Sequence, residues 1–226
     1  MALLSTYYLP GLCVEDHAVD VPLDWRGTSP ALLAGVDDPE PSRLCAASAD
    51  LKPDPAFAGK KIRLFYRTVC LPQNVGRDLP AIVYLQGGPG GAGPRVLDAQ
   101  TDGWLAEAVK YFRVVLPDQR GTGRSSAVDG HRMDQLRKEA LACGADPARL
   151  QANYLKRFLA DSIVRDFEYL RLTEFGGARW VTLGQSYGGF LTLCNLSTFP
   201  HGVDATFVGG GIPHVPARAK DVYAHT

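Results

Sequence analysis

A chain of 226 residues that is 46% hydrophobic and 21% charged has room for one large domain or two small ones and the composition of an ordinary globular protein. Its 24 basic and 24 acidic residues cancel, and the basic ones are scattered apart from short pairs such as Lys60–Lys61, so no nucleic-acid or membrane-surface partner is indicated. No apolar run approaches the roughly 20 residues of a membrane span, and the opening MALLSTYYLPGL lacks the basic leader and small-residue cleavage site of a secretory signal.

Residues 14–23 alternate loosely and suit an edge strand ending at Pro22. Residues 26–59, rich in Pro, Gly, Ala and Asp, read as irregular structure with short turns. IRLFYRTVCL at 62–71 is β-branched and aromatic and reads as a strand. AIVYLQ at 81–86 is a short apolar run that stops at glycines, as expected of a strand buried on both faces of a mostly parallel sheet. A short helix is expected over 101–111, after Thr101 or Asp102. FRVVLP at 112–117 is a further strand. Residues 147–174 carry the clearest helical pattern, with Leu155, Phe158, Leu159, Ile163, Phe167 and Leu170 at three- and four-residue steps. WVTLG at 180–184 and ATFVGG at 205–210 are strands, with a helix over 187–198 between them. Alternating strands and helices make an α/β sheet whose ligand site lies beyond the carboxyl ends of the strands.

The five cysteines, Cys13, Cys45, Cys70, Cys143 and Cys194, are odd in number and widely spaced. They show neither a disulfide framework nor metal-site spacing, so no metal is expected. They read as reduced thiols of a cytoplasmic protein, with Cys45–Cys143 the pair to bridge in an exported relative.

Three glycine-rich turns each follow an expected strand. In GQSYGGF, Gly184, Gln185, Ser186, Tyr187, Gly188 and Gly189 follow WVTL with G-x-S-x-G spacing. This is the pattern of a nucleophile elbow, a tight strand-to-helix turn that exposes a serine Oγ above the sheet. The plainer reading is a strand–helix turn with Ser186 as N-cap. As an elbow, Ser186 lies at a helix N-terminus, where the Tyr187 N–H would help hold an oxyanion. In LQGGPGG, Gly87, Gly88, Pro89 and Gly90 would let the backbone approach a substrate carbonyl; Gly88 is the first candidate for the second oxyanion amide and Gly87 the next. Alone, that stretch is equally a flexible turn, and it lacks the spacing of a nucleotide-phosphate loop. In DQRGTGRS, Asp118 and Arg120 either act on substrate or pair with each other and brace the loop under the catalytic turn; bracing is the preferred reading.

LQGGPGG, DQRGTGRSS, RDFEYLR and GQSYGGF, in this order and spacing, resemble the proline iminopeptidase (prolyl aminopeptidase) family of α/β-hydrolases, the S33-type serine aminopeptidases. VPLDW and FVGGGIPHV are similar to the longer bacterial form, and the resemblance covers about residues 14–216. Gln86 departs from the histidine that the family often carries there. The resemblance implies an α/β-hydrolase fold, no cofactor, and a peptide substrate with a free N-terminus. N-terminal proline would be released through an acyl-enzyme on Ser186, with amides of Gly88 and Tyr187 as oxyanion donors.

In that fold the acid and histidine of the triad follow the serine. His201, His214, His225, Asp204 and Asp221 all do, but Asp204 is expected at the start of its strand, at the far edge of the sheet. The expectation is therefore a single incomplete domain, the N-terminal part of an α/β-hydrolase. Residues 1–60 would supply an edge strand and irregular segment and 61–226 the core sheet and helices. The triad Asp and His, the C-terminal strands and the cap would be missing. The rival readings are another hydrolase on this scaffold (an esterase or a tripeptidyl aminopeptidase) and a truncated, non-catalytic binding form. Epoxide hydrolase or dehalogenase chemistry fits less well, because those enzymes usually carry Asp where Ser186 stands.

Overall fold

In the computed structural model the structure describes residues 2–26, 28, 44, 53–100 and 103–211. Seven strands form one mixed sheet: β1 (Ala2–Leu9), β2 (Leu12–Pro22), β3 (Lys61–Cys70), β4 (Ala81–Leu85), β5 (Arg113–Pro117), β6 (Trp180–Gln185) and β7 (Val203–Gly209). Their spatial order is β1-β2-β3-β5-β4-β6-β7. β1, β2 and β3 are antiparallel to their neighbours, whereas β5, β4, β6 and β7 run parallel. The carboxyl ends of those four strands therefore meet at one rim of the sheet.

Side chains alternate between two apolar layers with the period of two that a strand imposes. Ile82, Tyr84, Val114 and Leu116 pack with Leu105 and Val109 on one face. Ala81, Val83, Leu85 and Val115 pack on the other with Ile163, Phe167, Leu170 and Leu191. Every residue of β4 is buried, as the unbroken apolar run predicts.

The helices are α1 (Gly103–Ala108), α2 (Gly130–Ala142), α3 (Pro147–Leu155), α4 (Ala160–Glu174) and α5 (Tyr187–Thr198). Three features depart from the sequence expectations. β2 is not an edge strand, because β1 folds back through Pro10–Gly11 and pairs along it. Six of β1's eight residues are exposed and two half-buried, so it has no buried face to set a pattern. α2 goes unforeseen because it buries only Leu136 and Ala140; Asp129 caps it, accepting from Arg132 N at 2.8 Å. The long pattern over 147–174 is broken at Leu159, whose backbone is extended (φ −84°, ψ 170°). Leu155 and Leu159 accordingly lie exposed, at 44% and 49%, rather than on one continuous apolar face. Positions 101 and 102, the expected start of α1, and much of the 26–59 segment lie outside the described residues.

One buried ion pair ties these layers together. Arg120, in the turn after β5, directs every N–H of its guanidinium to an acceptor. Nε and Nη2 meet the two oxygens of Asp166 on α4 at 2.7 and 2.5 Å. Nη1 donates to Leu23 O and Arg157 O, at 2.9 and 2.6 Å, and Nη2 also donates to Pro22 O at 3.0 Å. Trp25 Nε1 donates to Asp166 Oδ1 at 2.8 Å. Burial pushes the Asp166 carboxyl upward, and the guanidinium and the indole N–H pull against it. Arg120 and Asp118 do not pair among the described residues. Asp118 instead accepts from the N–H groups of Gly93 and Arg124, both at 2.7 Å.

Removing one member of a satisfied buried pair leaves the other charged and unpaired, at a cost of about 3–5 kcal/mol. Arg120→Ala and Asp166→Ala are each expected to lower the unfolding free energy by that amount, measured by urea unfolding followed by circular dichroism. Two further carboxylates give a pH dependence. Burial opposes ionisation of Asp16 and Asp24, but Arg67 and Arg124 outweigh it at Asp16, and Arg26 and Arg157 at Asp24, so both are held below the usual range. The stability they supply is complete above about pH 4, the unfolded value, and is lost as pH falls through their lowered folded values. Thermal melts from pH 7 down to pH 2.5 should show Tm falling in the acid range, and Asp24→Asn should flatten that fall.

Candidate functional site

β6 ends at Gln185, α5 begins at Tyr187, and Ser186 alone turns the chain between them with φ 57° and ψ −122°. It is the one non-glycine residue with positive φ among those described. Such a conformation costs a side chain on the order of 1–3 kcal/mol and persists only where surroundings enforce it. Here they do. Ser186 N–H donates to Gly209 O at the end of β7 at 2.7 Å, and Phe190 N–H donates to Ser186 O at 3.2 Å. The serine side chain makes no capping bond and is exposed at the rim. The N-cap reading of Ser186 therefore gives way to a serine presented outward on a strained bend.

The flanking glycines are required by space. A Cβ on Gly184 would collide with Gly188 O, and one on Gly188 with Leu85 O. A Cβ on Gly189 would lie 2.9 Å from Gly211 Cα. The bend is thus wedged between the ends of β4 and β7.

On the β4 side runs the loop Gln86–Gly93. A Cβ at Gly87 would sit 2.7 Å from Gln185 O and 3.3 Å from Ser186 Cβ, which places this loop directly against the serine. Gly88 (φ +125°) and Gly90 (φ +98°) occupy backbone regions that side chains avoid, and the Gly88–Pro89 peptide is cis. The N–H groups of Gly88 and Tyr187 donate to no acceptor among the described residues. Tyr187 is half-buried, stacks on Phe190 with ring centroids 5.8 Å apart, and has its phenol pushed upward by burial. Gln185 is exposed beside the serine. An exposed hydroxyl on a strained bend at a helix N-terminus, with a glycine loop packed against it, is an arrangement suited to a nucleophile and a developing oxyanion.

No histidine or carboxylate hydrogen-bonds to Ser186 among the described residues. Asp204 pairs with Arg179 at 3.2 Å, both largely exposed. It lies beside the start of β6 in a register where Gln185, not Trp180, faces Gly209, so five residues of strand, roughly 16 Å, separate its level from the serine's. His201 is exposed in the turn Pro200–Gly202 that precedes β7, at that same far end. His214, Asp221 and His225 lie outside the described residues. Sequence reasoning missed Gln119, which is buried and donates from Nε2 to Gln86 O at 2.6 Å; its place between Asp118 and Arg120 in DQRG was the available signal. It also missed Asp166 as the partner of Arg120, although RDFEYLR and DQRGTGRSS stood out together. Cys13, Cys70, Cys143 and Cys194 are free; Cys45 lies outside the described residues. Among the described residues no group of His, Cys, Asp or Glu could hold a metal ion, and no helix is long and apolar enough to cross a membrane.

Residues 80–223 match the family model of the alpha/beta hydrolase fold. A proline iminopeptidase of Aeromonas sobria is 36% identical over 97% of this chain, and this chain covers 42% of that protein's length. A proline iminopeptidase of Aspergillus aculeatus is 36% identical over 72% of this chain and 38% of its own. A solved hydrolase from Pseudomonas aeruginosa matches 68% of this chain and 44% of its own, with 16% identity and a TM-score of 0.45.

The strain at the bend is testable without any substrate. Ser186→Gly relieves the positive φ and should raise stability by about 1 kcal/mol, the relief being partly offset by the entropy that glycine adds to the unfolded chain. Gly188→Ala should destabilise by several times that amount, about 3 kcal/mol or more, because the clash is with backbone. Urea unfolding of the two variants beside the parent measures both.

Proposed function

Because the chain belongs to the α/β-hydrolase fold family, we propose that it carries the nucleophile of a serine aminopeptidase releasing N-terminal proline from peptides. The observation that carries this reading is the strained, exposed Ser186 at the head of α5, with the glycine loop after β4 packed against it. The likeness to two proline iminopeptidases supplies the substrate class.

In this reading Ser186 Oγ attacks the carbonyl carbon of the N-terminal residue and gives its proton to a general base. The carbonyl oxygen, now an oxyanion, receives the N–H groups of Gly88 and Tyr187. The shortened peptide leaves as an amine after taking that proton, and water then cleaves the acyl-enzyme to regenerate Ser186 and free the amino acid. The base and its supporting acid come from outside the described residues. Asp118 and Arg120 hold the loops and do not touch substrate. No metal or cofactor takes part. In this reading the protein works in the cytoplasm, where its thiols stay reduced.

A second reading is a form that binds a peptide or partner subunit without catalysis. It is favoured by β7, which pairs only with β6 among the described residues and exposes Phe207 and Val208 at 57% and 42%.

The test is turnover of prolyl, alanyl, tripeptidyl and ester substrates by the longest native form in its source cells, beside the 226-residue chain. Preference for the prolyl arylamide, with Ser186→Ala lowering kcat on the order of 10⁴-fold or more, is the expected result. The 226-residue chain alone should give at most trace turnover. Preference for an ester or a tripeptidyl substrate would transfer the site to the corresponding hydrolase.

A further inference from the structure

A loop that presents an oxyanion amide must hold it to within about half an ångström, yet residues 87–92 contain four glycines and resist motion poorly on their own. The structure shows what restrains them. Asp118 and Gln119 are the first two residues after β5, and both are buried, at 6% and 2% exposure. Gln119 Nε2 donates to Gln86 O at 2.6 Å, at the entry to the loop. Asp118 Oδ1 accepts from Gly93 N–H at 2.7 Å, at its exit. We propose that Asp118 and Gln119 are positioning residues that clamp the amide-bearing loop at both ends and set the place of Gly88 N–H beside Ser186.

The clamp is itself fixed. Asp118 N–H donates to Phe65 O on β3 at 3.0 Å, and Ser125 Oγ donates to Asp118 O at 2.7 Å. Asp118 Oδ2 accepts from Arg124 N–H at 2.7 Å. Thr122 returns both its N–H and its hydroxyl to Gln119 O, at 3.0 and 2.8 Å. Gly123 leaves no room for a Cβ beside the Asp118 carboxylate, and a Cβ on Gly93 would lie 3.2 Å from Asp118 Oδ1. The next residue, Arg120, is locked to Asp166 on α4. Core, turn, clamp and loop are thus joined in series. Gln119 acts through the loop and not on substrate, so its loss should relax the loop and slow the chemical step while leaving substrate binding intact.

The positional claim stands on geometry alone, and only its catalytic consequence rests on the aminopeptidase reading. Amide hydrogen exchange measured by mass spectrometry on the 226-residue chain tests the first. In Gln119→Met, which keeps the size of the side chain and removes its donor, exchange of the hydrogen-bonded Gly93 amide at the loop's exit should quicken at least tenfold, with β4 and α5 unchanged. Gln119→Glu, which sets an acceptor against Gln86 O, should do the same and carries the test if the first variant does not fold. Unchanged exchange in a folded variant overturns the clamp. In whichever native form turns over a prolyl arylamide, Gln119→Met should lower kcat 10- to 100-fold with KM within twofold; a rise in KM at constant kcat overturns the positioning role. Failure of the parent to cleave any amide would defeat the aminopeptidase reading and leave the exchange result to decide the clamp.

Discussion

The Arg120–Asp166 pair is the constraint on which the rest of this structure depends. Removing two charges from water costs several kcal/mol for each ion, and attraction between them offsets that only if every donor and acceptor is used. Here they are: five guanidinium hydrogen bonds end on Asp166, Pro22, Leu23 and Arg157, and the Trp25 indole takes up a further lone pair of Asp166. These partners come from the end of β2, the segment after it, the turn after β5, the turn before α4 and α4 itself. The pair can be satisfied in only one mutual placement of those pieces, so it acts less as a source of net stability than as a fixed point of registration.

From that point order passes to the rim where the parallel strands end. The turn after β5 cannot wander while Arg120 is held, and its Asp118 and Gln119 hold the glycine loop after β4. That loop abuts the bend at Ser186, which is bonded in turn to the end of β7. Where the loop, the bend and the strand ends meet, backbone lies against backbone, which is why glycine stands at 87, 184, 188 and 189. The strain stored at Ser186 is small beside the burial of two apolar layers, but it is concentrated where the hydroxyl must project.

The site is open on one side. Ser186 and the glycine loop after β4 meet at the rim, and the described carboxylate and histidine that follow Ser186 in sequence lie at the opposite end of the sheet. The chain spans 42% and 38% of the lengths of the two proline iminopeptidases it resembles. A nucleophile and an oxyanion pocket built on rigid strand ends form a separable part of such a site: they fix where charge develops, while the base and acid fix where the proton goes.

The strands β4, β5 and β6 were legible because they are apolar runs ending at glycine or proline, a pattern that local chemistry imposes on a strand buried on both faces, and β3 because it is β-branched and aromatic. The tight bend at Ser186 was legible for the same reason: close spacing of Gly184, Ser186 and Gly188 is a local requirement. β1 was not legible, since its side chains are mostly exposed and only pairing with β2 makes it a strand; nor was α2, which buries two residues. The break at Leu159 escaped because helical periodicity runs on through it. The partners of Asp118 and Arg120 were misassigned for a different reason. Two opposite charges two residues apart look like a pair, but the partners were decided by α4, 46 residues further along, which supplies the acceptor for Arg120, and by the loop after β4, which supplies a donor to Asp118. The sequence by itself determined the alternation of elements and the sharp turns at their ends. Only the tertiary structure decided which buried charge meets which, because satisfying a desolvated donor depends on distance in space and not on distance along the chain.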